Sequence, residues 1–282
     1  MIAEAWALPP ALLIPLVAAH LLGDFVLQPG WMADGKHRLR VVALHAVVVA
    51  GTSWLLLGHF GTWWWLIPAL AVTHLAVDLA KGVGDRWVEA VGSVRDDDAP
   101  GAATPGRRAP NGRIVLFLLD QTAHLLVLAG IVWAVNSSAA LHGTLSGRGL
   151  WLDLFGPGYL TALVLVSGWV VAAPATGSFL YLFLDRFEAE LSPEQRAGGL
   201  PRGGYWIGLA ERTLIYVFLL IGEPAGIGFL AAAKSVFRLG EVKEASQRSL
   251  AEYILIGTLL SFGLAMVIGL VARAVLSLLA GP

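Results

Sequence analysis

The chain has 282 residues, 57% of them hydrophobic and 14% charged, with a formal net charge of −1; soluble domains carry about 25% charged residues. This composition excludes a water-soluble domain with one large core and predicts an all-α, polytopic transmembrane helix bundle, while the near-zero charge gives no ground for a nucleic-acid partner. There is no cysteine, so disulfides, thiolate metal sites and cysteine nucleophiles are excluded.

The first apolar run spans residues 8–27 and ends at the turn signal Gln28-Pro29-Gly30. No basic residue precedes Lys36, so this run lacks the positive flank of a signal peptide and is expected to persist as an anchor. The second run covers residues 41–57, and the third follows an interfacial belt at Trp63, Trp64 and Trp65 and ends at Lys81. Residues 82–113 are polar; after Asp96, Asp97 and Asp98 the Pro/Gly/Ala-rich stretch is expected to be a disordered loop. The fourth and fifth runs are 114–135 and 159–184. Ser192-Pro193-Glu194-Gln195 has the pattern of a capping box and predicts a short surface helix. Runs six and seven, 205–221 and 225–237, flank Gly222-Glu223-Pro224 and are expected to form two tilted spans or one re-entrant hairpin. The eighth run is 250–279.

Lysine and arginine counts alternate along the loops. Segments 29–40, 82–113, 185–204 and 238–249 hold three, five, three and three; 58–61, 136–158 and 222–224 hold none, one and none. By the positive-inside rule, about eight spans with both termini outside the cytoplasm satisfy this alternation. The expected organisation is a four-helix membrane domain over 1–135, a second membrane half of about four spans over 136–282, and cytoplasmic loops at 94–112 and 185–204.

Against this topology the intramembrane polar residues fall at one level. His20, Asp24 and Gln28 end the first run, His45 begins the second, His74, Asp78 and Lys81 end the third, and Asp120, Gln121 and His124 begin the fourth. His20/Asp24, His74/Asp78 and Asp120/His124 are each four apart, so each pair shares a helix face. A charge at mid-span costs roughly 2.5–3.5 kcal/mol, and three buried carboxylates without ions, protons or partners are hard to reconcile with a purely structural role. Facing stripes of this kind build metal sites in helix bundles. Imidazole with carboxylate suits zinc, manganese or iron, and the histidine share argues against magnesium. The candidate ligands are His20, Asp24, His74, Asp78, Asp120 and His124. His45 is carried with them, although alone it reads as a packed, hydrogen-bonded helix contact. Gln28 and Gln121 are expected to orient ligands or water. Lys36, Arg38 and Arg40 are most simply topology signals; Lys81 either snorkels or accompanies Asp78 as its counter-ion. Arg212, Lys234 and Arg238 are candidate binders of an anionic head group, with a lipid-facing or ion-pairing role the plainer reading.

The stretch His20-Leu-Leu-Gly-Asp24-Phe-Val-Leu-Gln28, with His45, His74-x-x-x-Asp78-x-x-Lys81 and Asp120-Gln121-x-x-His124, resembles a bacterial family of membrane proteins catalogued as domain of unknown function 3307. The resemblance covers roughly residues 9–135. The second half, with Glu211-Arg212 and Glu252-Tyr253-x-x-x-Gly257-Thr258, resembles the extension of the longer members. It implies a multi-pass protein of the bacterial cytoplasmic membrane and supplies no catalytic residues.

Three functions fit these residues. The first is an intramembrane metal-dependent enzyme, a hydrolase of a lipid or lipid-linked phosphate, with Asp24, Asp78, Asp120, Lys81, Gln28 and Gln121 in catalytic roles and Lys81, Arg212, Lys234 and Arg238 on the anionic substrate. The second is a proton-coupled transporter using an Asp/His relay. The third is a scaffold or sensor whose loops bind a cytosolic partner. No phosphate-binding loop of the G-x-x-x-x-G-K-[ST] type and no G-x-S-x-G elbow is present.

Overall fold

A computed structural model describes residues 10–58, 65–97, 110–137, 149–188, 191–192, 202–239 and 248–280, and among them there is no strand. The helices are α1 (Pro10–Phe25), α2 (Gly30–Asp34) with a 3₁₀ turn at Gly35–His37, α3 (Leu39–Leu57), α4 (Leu66–Asp97), α5 (Pro110–Ser137), α6 (Leu150–Phe155), α7 (Pro157–Val170), a π-helical turn at Val171–Ala175, α8 (Thr176–Glu188), α9 (Gly203–Ile221), α10 (Ala225–Leu239) and α11 (Arg248–Ala280). The chain divides into two units, Met1–Ser167 and Gly168–Pro282.

Six helical stretches are long and apolar enough to cross a membrane, and a seventh arises if α1 and Gly30–His37, bent by 85°, form one broken span. The seventh apolar run becomes a shorter helix, apolar over Ala225–Val236. The protein is thus an all-α, multi-pass membrane protein. Its surface agrees: Val47, Val72, Leu126 and Trp133 are at least 61% exposed, whereas His20, His45, His74, Asp78, Asp120 and His124 are at most 6% exposed. Apolar side chains outside and polar ones inside is the pattern that lipid imposes on intramembrane charge.

In the first unit α1, α3, α4 and α5 pack around two layers. One is apolar and joins Leu12, Leu16, Leu57, Leu66, Leu70, Leu128, Val132 and Val135. Trp65, expected in an interfacial belt, packs against this layer; Trp63 and Trp64 lie outside the described residues. The other layer is polar and is described below. α1 stops at Gln28-Pro29 because proline holds the preceding residue extended, and Pro29 itself is extended, with φ −67° and ψ 159°. α3 stops at Gly58, whose φ of 68° is left-handed, as a helix C-terminus commonly requires. The carbonyls left over there are satisfied from α6 and α7: Leu150 N–H donates to Gly58 at 3.1 Å, Trp151 Nε1 to Leu55 at 2.6 Å and the Tyr159 hydroxyl to Leu56 at 2.6 Å.

α1 and α3 cross where Gly23 lies. A Cβ on Gly23 would meet Val49 Cγ2 at 2.6 Å, whereas one on Gly51 would meet nothing within 4 Å. Gly23→Val is expected to lower stability by about 1–3 kcal/mol through overpacking, seen as an earlier thermal unfolding midpoint in detergent, with Gly51→Ala as the silent control.

Two boundaries differ from expectation. α4 does not end at Lys81 but continues to Asp97, and α5 begins at Pro110. The extra turns stay helical because they still have a packing partner. A Cβ on Gly84 would lie 2.8 Å from Leu116, and one on Gly112 would lie 2.7 Å from Val88, so the two helices run close together beyond the apolar segment. Residues 98–109, the core of the expected disordered loop, and Pro193 to Gln195 of the expected surface helix lie outside the described residues, as does most of 185–204 after Glu188.

The span Pro157–Glu188 begins in the first unit and carries Pro174 within its π turn in the second. Proline lacks the N–H that the helix ladder needs, and side chains donate to carbonyls within the π turn. Thr176 Oγ1 donates to Val171 at 2.7 Å and Arg212 Nε to Ala173 at 3.0 Å. α9 ends in a Schellman turn, with Gly222 at φ 80° and Glu223 N–H donating to Phe218 at 2.8 Å. An apolar cluster of Ile215, Leu219, Ile227, Phe262 and Ala265 ties α9, α10 and α11 together.

Candidate functional site: a buried histidine and aspartate cluster

Seven histidine and aspartate side chains from four helices meet in the first unit. Asp24 of α1 is the hub. Its Oδ1 lies 3.1 Å from His45 Nε2 of α3, 3.5 Å from His74 Nε2 of α4 and 3.9 Å from His20 Nδ1, one turn back on α1. Asp78 Oδ2 lies 3.7 Å from both His45 Nε2 and His74 Nε2. On α5, His124 Nδ1 stands 3.5 Å from Asp120 Oδ1 and 3.0 Å from the Asp120 carbonyl. The four rings pack on one another, with centroids 4.2 Å apart for His74–His124, 4.8 Å for His20–His124, 5.0 Å for His45–His74 and 5.7 Å for His20–His74.

The one-turn spacing of these pairs on three helices explains this convergence. Each i,i+4 pair places an imidazole and a carboxylate on the face that the bundle buries, since the opposite face meets lipid. The four-residue period therefore aims all three stripes at a common axis, and His45 enters between them from α3.

The distances divide into two kinds. Of the imidazole–carboxylate contacts above, only His45–Asp24 is a hydrogen bond. The separations of 3.5–3.9 Å are too long for that, yet they are close to the roughly 3–3.5 Å between two donors bound to one ion at ~2 Å. Three groups bring one ligand atom each to within 4.8 Å of one another: His20, Asp24 and His74; His45, His74 and Asp78; and Asp24, Asp120 and His124. These residues could hold one divalent ion, or two sharing Asp24.

Several of the ligating atoms are orphans. His20 Nδ1 and Nε2, His45 Nδ1, His74 Nε2, His124 Nε2 and Asp120 Oδ1 are buried with no hydrogen-bond partner among the described residues. Buried polar atoms are rarely left so, because desolvation is then uncompensated. The His124 tautomer is fixed by its neighbour: a carbonyl only accepts, so Nδ1 carries the proton donated to Asp120 O, and Nε2 offers a lone pair to the interior. This is the arrangement of a metal-ligating imidazole supported by an outer-shell acceptor. A cavity of about 10 Å³ lies among His20, His74, His124, Ser53, Thr73 and their apolar neighbours, space for about one water or ion.

Two lysines close the cluster. Lys36 Nζ donates to both oxygens of Asp78, at 3.0 and 3.2 Å, and Lys81 Nζ to Asp120 Oδ2 at 3.1 Å. Their side chains are 23% and 24% exposed, while Asp78 and Asp120 are 0% and 2% exposed. Asp24 has no lysine partner and faces imidazoles. Gln121 Nε2 bridges Asp24 Oδ2 at 3.2 Å and Asp120 Oδ2 at 3.1 Å. Gln28, with its carboxamide turned to satisfy both ends, donates to the Asp24 carbonyl at 3.1 Å and accepts from Lys36 at 3.2 Å. The glutamines thus stand where outer-shell residues are expected.

Sequence reasoning missed Lys36, read as a topology signal. It reaches Asp78 because the chain folds back by 85° after Phe25, and the Gln28-Pro29-Gly30 break was the one available sign. Lys81 is not the counter-ion of Asp78: three residues on, it has turned toward α5 and pairs with Asp120. Lys36→Met is expected to destabilise the protein by about 2 kcal/mol by stranding the Asp78 carboxylate, a discount on the 3–5 kcal/mol of a fully buried pair. Chemical denaturation with chelator present measures it, and Asp78→Asn in the same chain is expected to recover most of the loss. Arg212 and Lys234 belong to the second unit, where Lys234 pairs with Glu211; the Arg238 side chain lies outside the described residues.

No curated protein and no solved structure matches the chain. Residues 12–147 match the model of the family described as Protein of unknown function (DUF3307), and every residue of the cluster falls inside that stretch.

Proposed function

We propose that the first unit is an intramembrane divalent-metal centre holding zinc, manganese or iron, and that the protein is a metal-dependent hydrolase of a lipid or lipid-linked phosphate in the bacterial cytoplasmic membrane. The observation that carries this reading is the set of orphaned, buried imidazole nitrogens gathered around one carboxylate, Asp24. Hydrogen bonding leaves those lone pairs unused, and a cation would use them. Such an ion acidifies water and polarises phosphoryl oxygens.

The remaining roles follow from position. His20, Asp24 and His74, then His45, His74 and Asp78, and then Asp24, Asp120 and His124 would each offer a set of ligands. Asp120 Oδ1, which makes no hydrogen bond among the described residues, would accept a proton taken from water. Lys36 and Lys81 are the cations that reach the exposed edge of the cluster, and they meet the anionic head group there. Gln28 and Gln121 hold Lys36, Asp24 and Asp120 in register. The test is phosphate release from a short-chain lipid phosphate in detergent. Chelation is expected to abolish turnover and zinc or manganese to restore it; equal turnover by the chelated and the loaded protein would overturn the reading.

One observation favours a second reading, a proton-coupled carrier. The cavity among the rings is only about 10 Å³, too small for a head group, and imidazoles stepping at 4.2–5.7 Å resemble a proton relay. Metal-free uptake driven by a pH gradient in sealed proteoliposomes, without hydrolysis in detergent, would decide for it.

A further inference from the structure

The second unit holds a cavity of about 380 Å³, within the range of ligand pockets. Its walls include Leu180, Leu184, Ile207 and Ile254, and its polar end holds Arg212 and Lys234. Tyr181 and Ile207 of the wall are 69% and 59% exposed, so the cavity opens through an apolar lip on helices apolar enough to sit in lipid.

Arg212 is the unusual group. It is 3% exposed, and among the described residues only two of the five N–H donors of a guanidinium are engaged: Nε with Ala173 O at 3.0 Å and Nη1 with Ser261 Oγ at 3.3 Å. Neither acceptor is charged. The adjacent carboxylate, Glu211, is taken by Lys234, and among the described residues none lies within ion-pair reach of Arg212. One further carboxylate, Glu188, stands at the exposed rim. The seat is built for the guanidinium, since a Cβ at Gly177 would lie 2.9 Å from Nη2 and one at Gly208 would lie 2.7 Å from Nη1. An unneutralised cation in a low-dielectric interior calls for an anion, and Arg offers oxyanions a planar fork.

We propose that this cavity binds an anionic amphiphile, with its oxyanion on the free N–H groups of Arg212 and its tail along Leu180, Leu184, Ile207 and Ile254. The site stands apart from the metal reading and needs none of its ligands. The test is native mass spectrometry of the full chain in detergent, titrated with dioleoyl phosphatidic acid, oleate, inorganic phosphate and dioleoyl phosphatidylcholine in separate arms. Phosphatidic acid or oleate is expected to bind, and whichever binds names the oxyanion. Arg212→Gln is expected to weaken it by about tenfold or more, the worth of a charged hydrogen bond. Leu184→Trp, which fills the cavity with the guanidinium intact, is expected to do the same. His74→Ala, which disables the metal centre, is expected to leave binding unchanged, so the two proposals fail separately. Wild-type affinity in both Arg212→Gln and Leu184→Trp, equal binding of phosphatidylcholine, or displacement by equimolar inorganic phosphate would overturn it.

Discussion

Replacing Asp24 with alanine is expected to reduce bound divalent metal in the purified protein more than any other single substitution. Its Oδ1 is the atom shared by His45, His74 and His20 at 3.1, 3.5 and 3.9 Å, and it takes part in two of the three ligand groups. Removing an outer-shell partner of a metal site costs about 10–100-fold in affinity; losing the central ligand should exceed that. Competition against a chromogenic chelator measures the change. Gln121→Ala, which leaves every ligand in place but frees Asp24 Oδ2, is expected to fall within the outer-shell range. Equal affinities for the two variants would mean that Asp24 is not the hub.

The second large effect is on stability and needs no metal. Asp120→Ala strands Lys81, whose Nζ donates to Asp120 Oδ2 at 3.1 Å, and leaves Gln121 with one fewer acceptor. Breaking a buried ion pair from one side costs about 3–5 kcal/mol. Because Lys81 is 24% exposed, about 3 kcal/mol is expected, measured by denaturant unfolding with chelator in both samples. Adding Lys81→Met to Asp120→Ala should restore more than half, since the uncompensated charge is gone and the methionine stem packs where the lysine stem lay. If the double variant were as unstable as the single, the lysine would not be held by Asp120.

The stripes were legible because a four-residue period survives any helix packing. His20/Asp24, His74/Asp78 and Asp120/His124 could be placed on common faces without coordinates, and the cost of intramembrane charge turned those faces inward. What the cations do was not legible. Lys36 lies 42 residues from the carboxylate it pairs with, and its reach depends on a bend after Phe25 whose angle a Pro-Gly signal does not specify. Lys81 is three residues beyond Asp78, close enough for a pair along one helix, but it turns to the neighbouring α5 instead. The end of α4 was misplaced because Lys81, Asp85, Arg86 and Glu89 lower the hydropathy, whereas the helix continues on its packing against α5 at Gly84 and Gly112. In the second unit the sequence offered Arg212, Lys234 and Arg238 alike as candidate binders of an anionic head group. The structure separates their tasks: the Ala173 carbonyl in the π turn holds Arg212 Nε, while Lys234 pairs with Glu211.

The central claim is that imidazoles and carboxylates from α1, α3, α4 and α5 form a cation site. Elemental analysis of the purified protein against His74→Ala combined with Asp78→Ala tests it most directly, because His74 and Asp78 lie on one helix face and enter two of the three ligand groups. The account predicts near-stoichiometric zinc, manganese or iron in the wild type and about a tenth of that or less in the double variant. Equal metal content in the two, or none in either after exposure to all three ions, would contradict it.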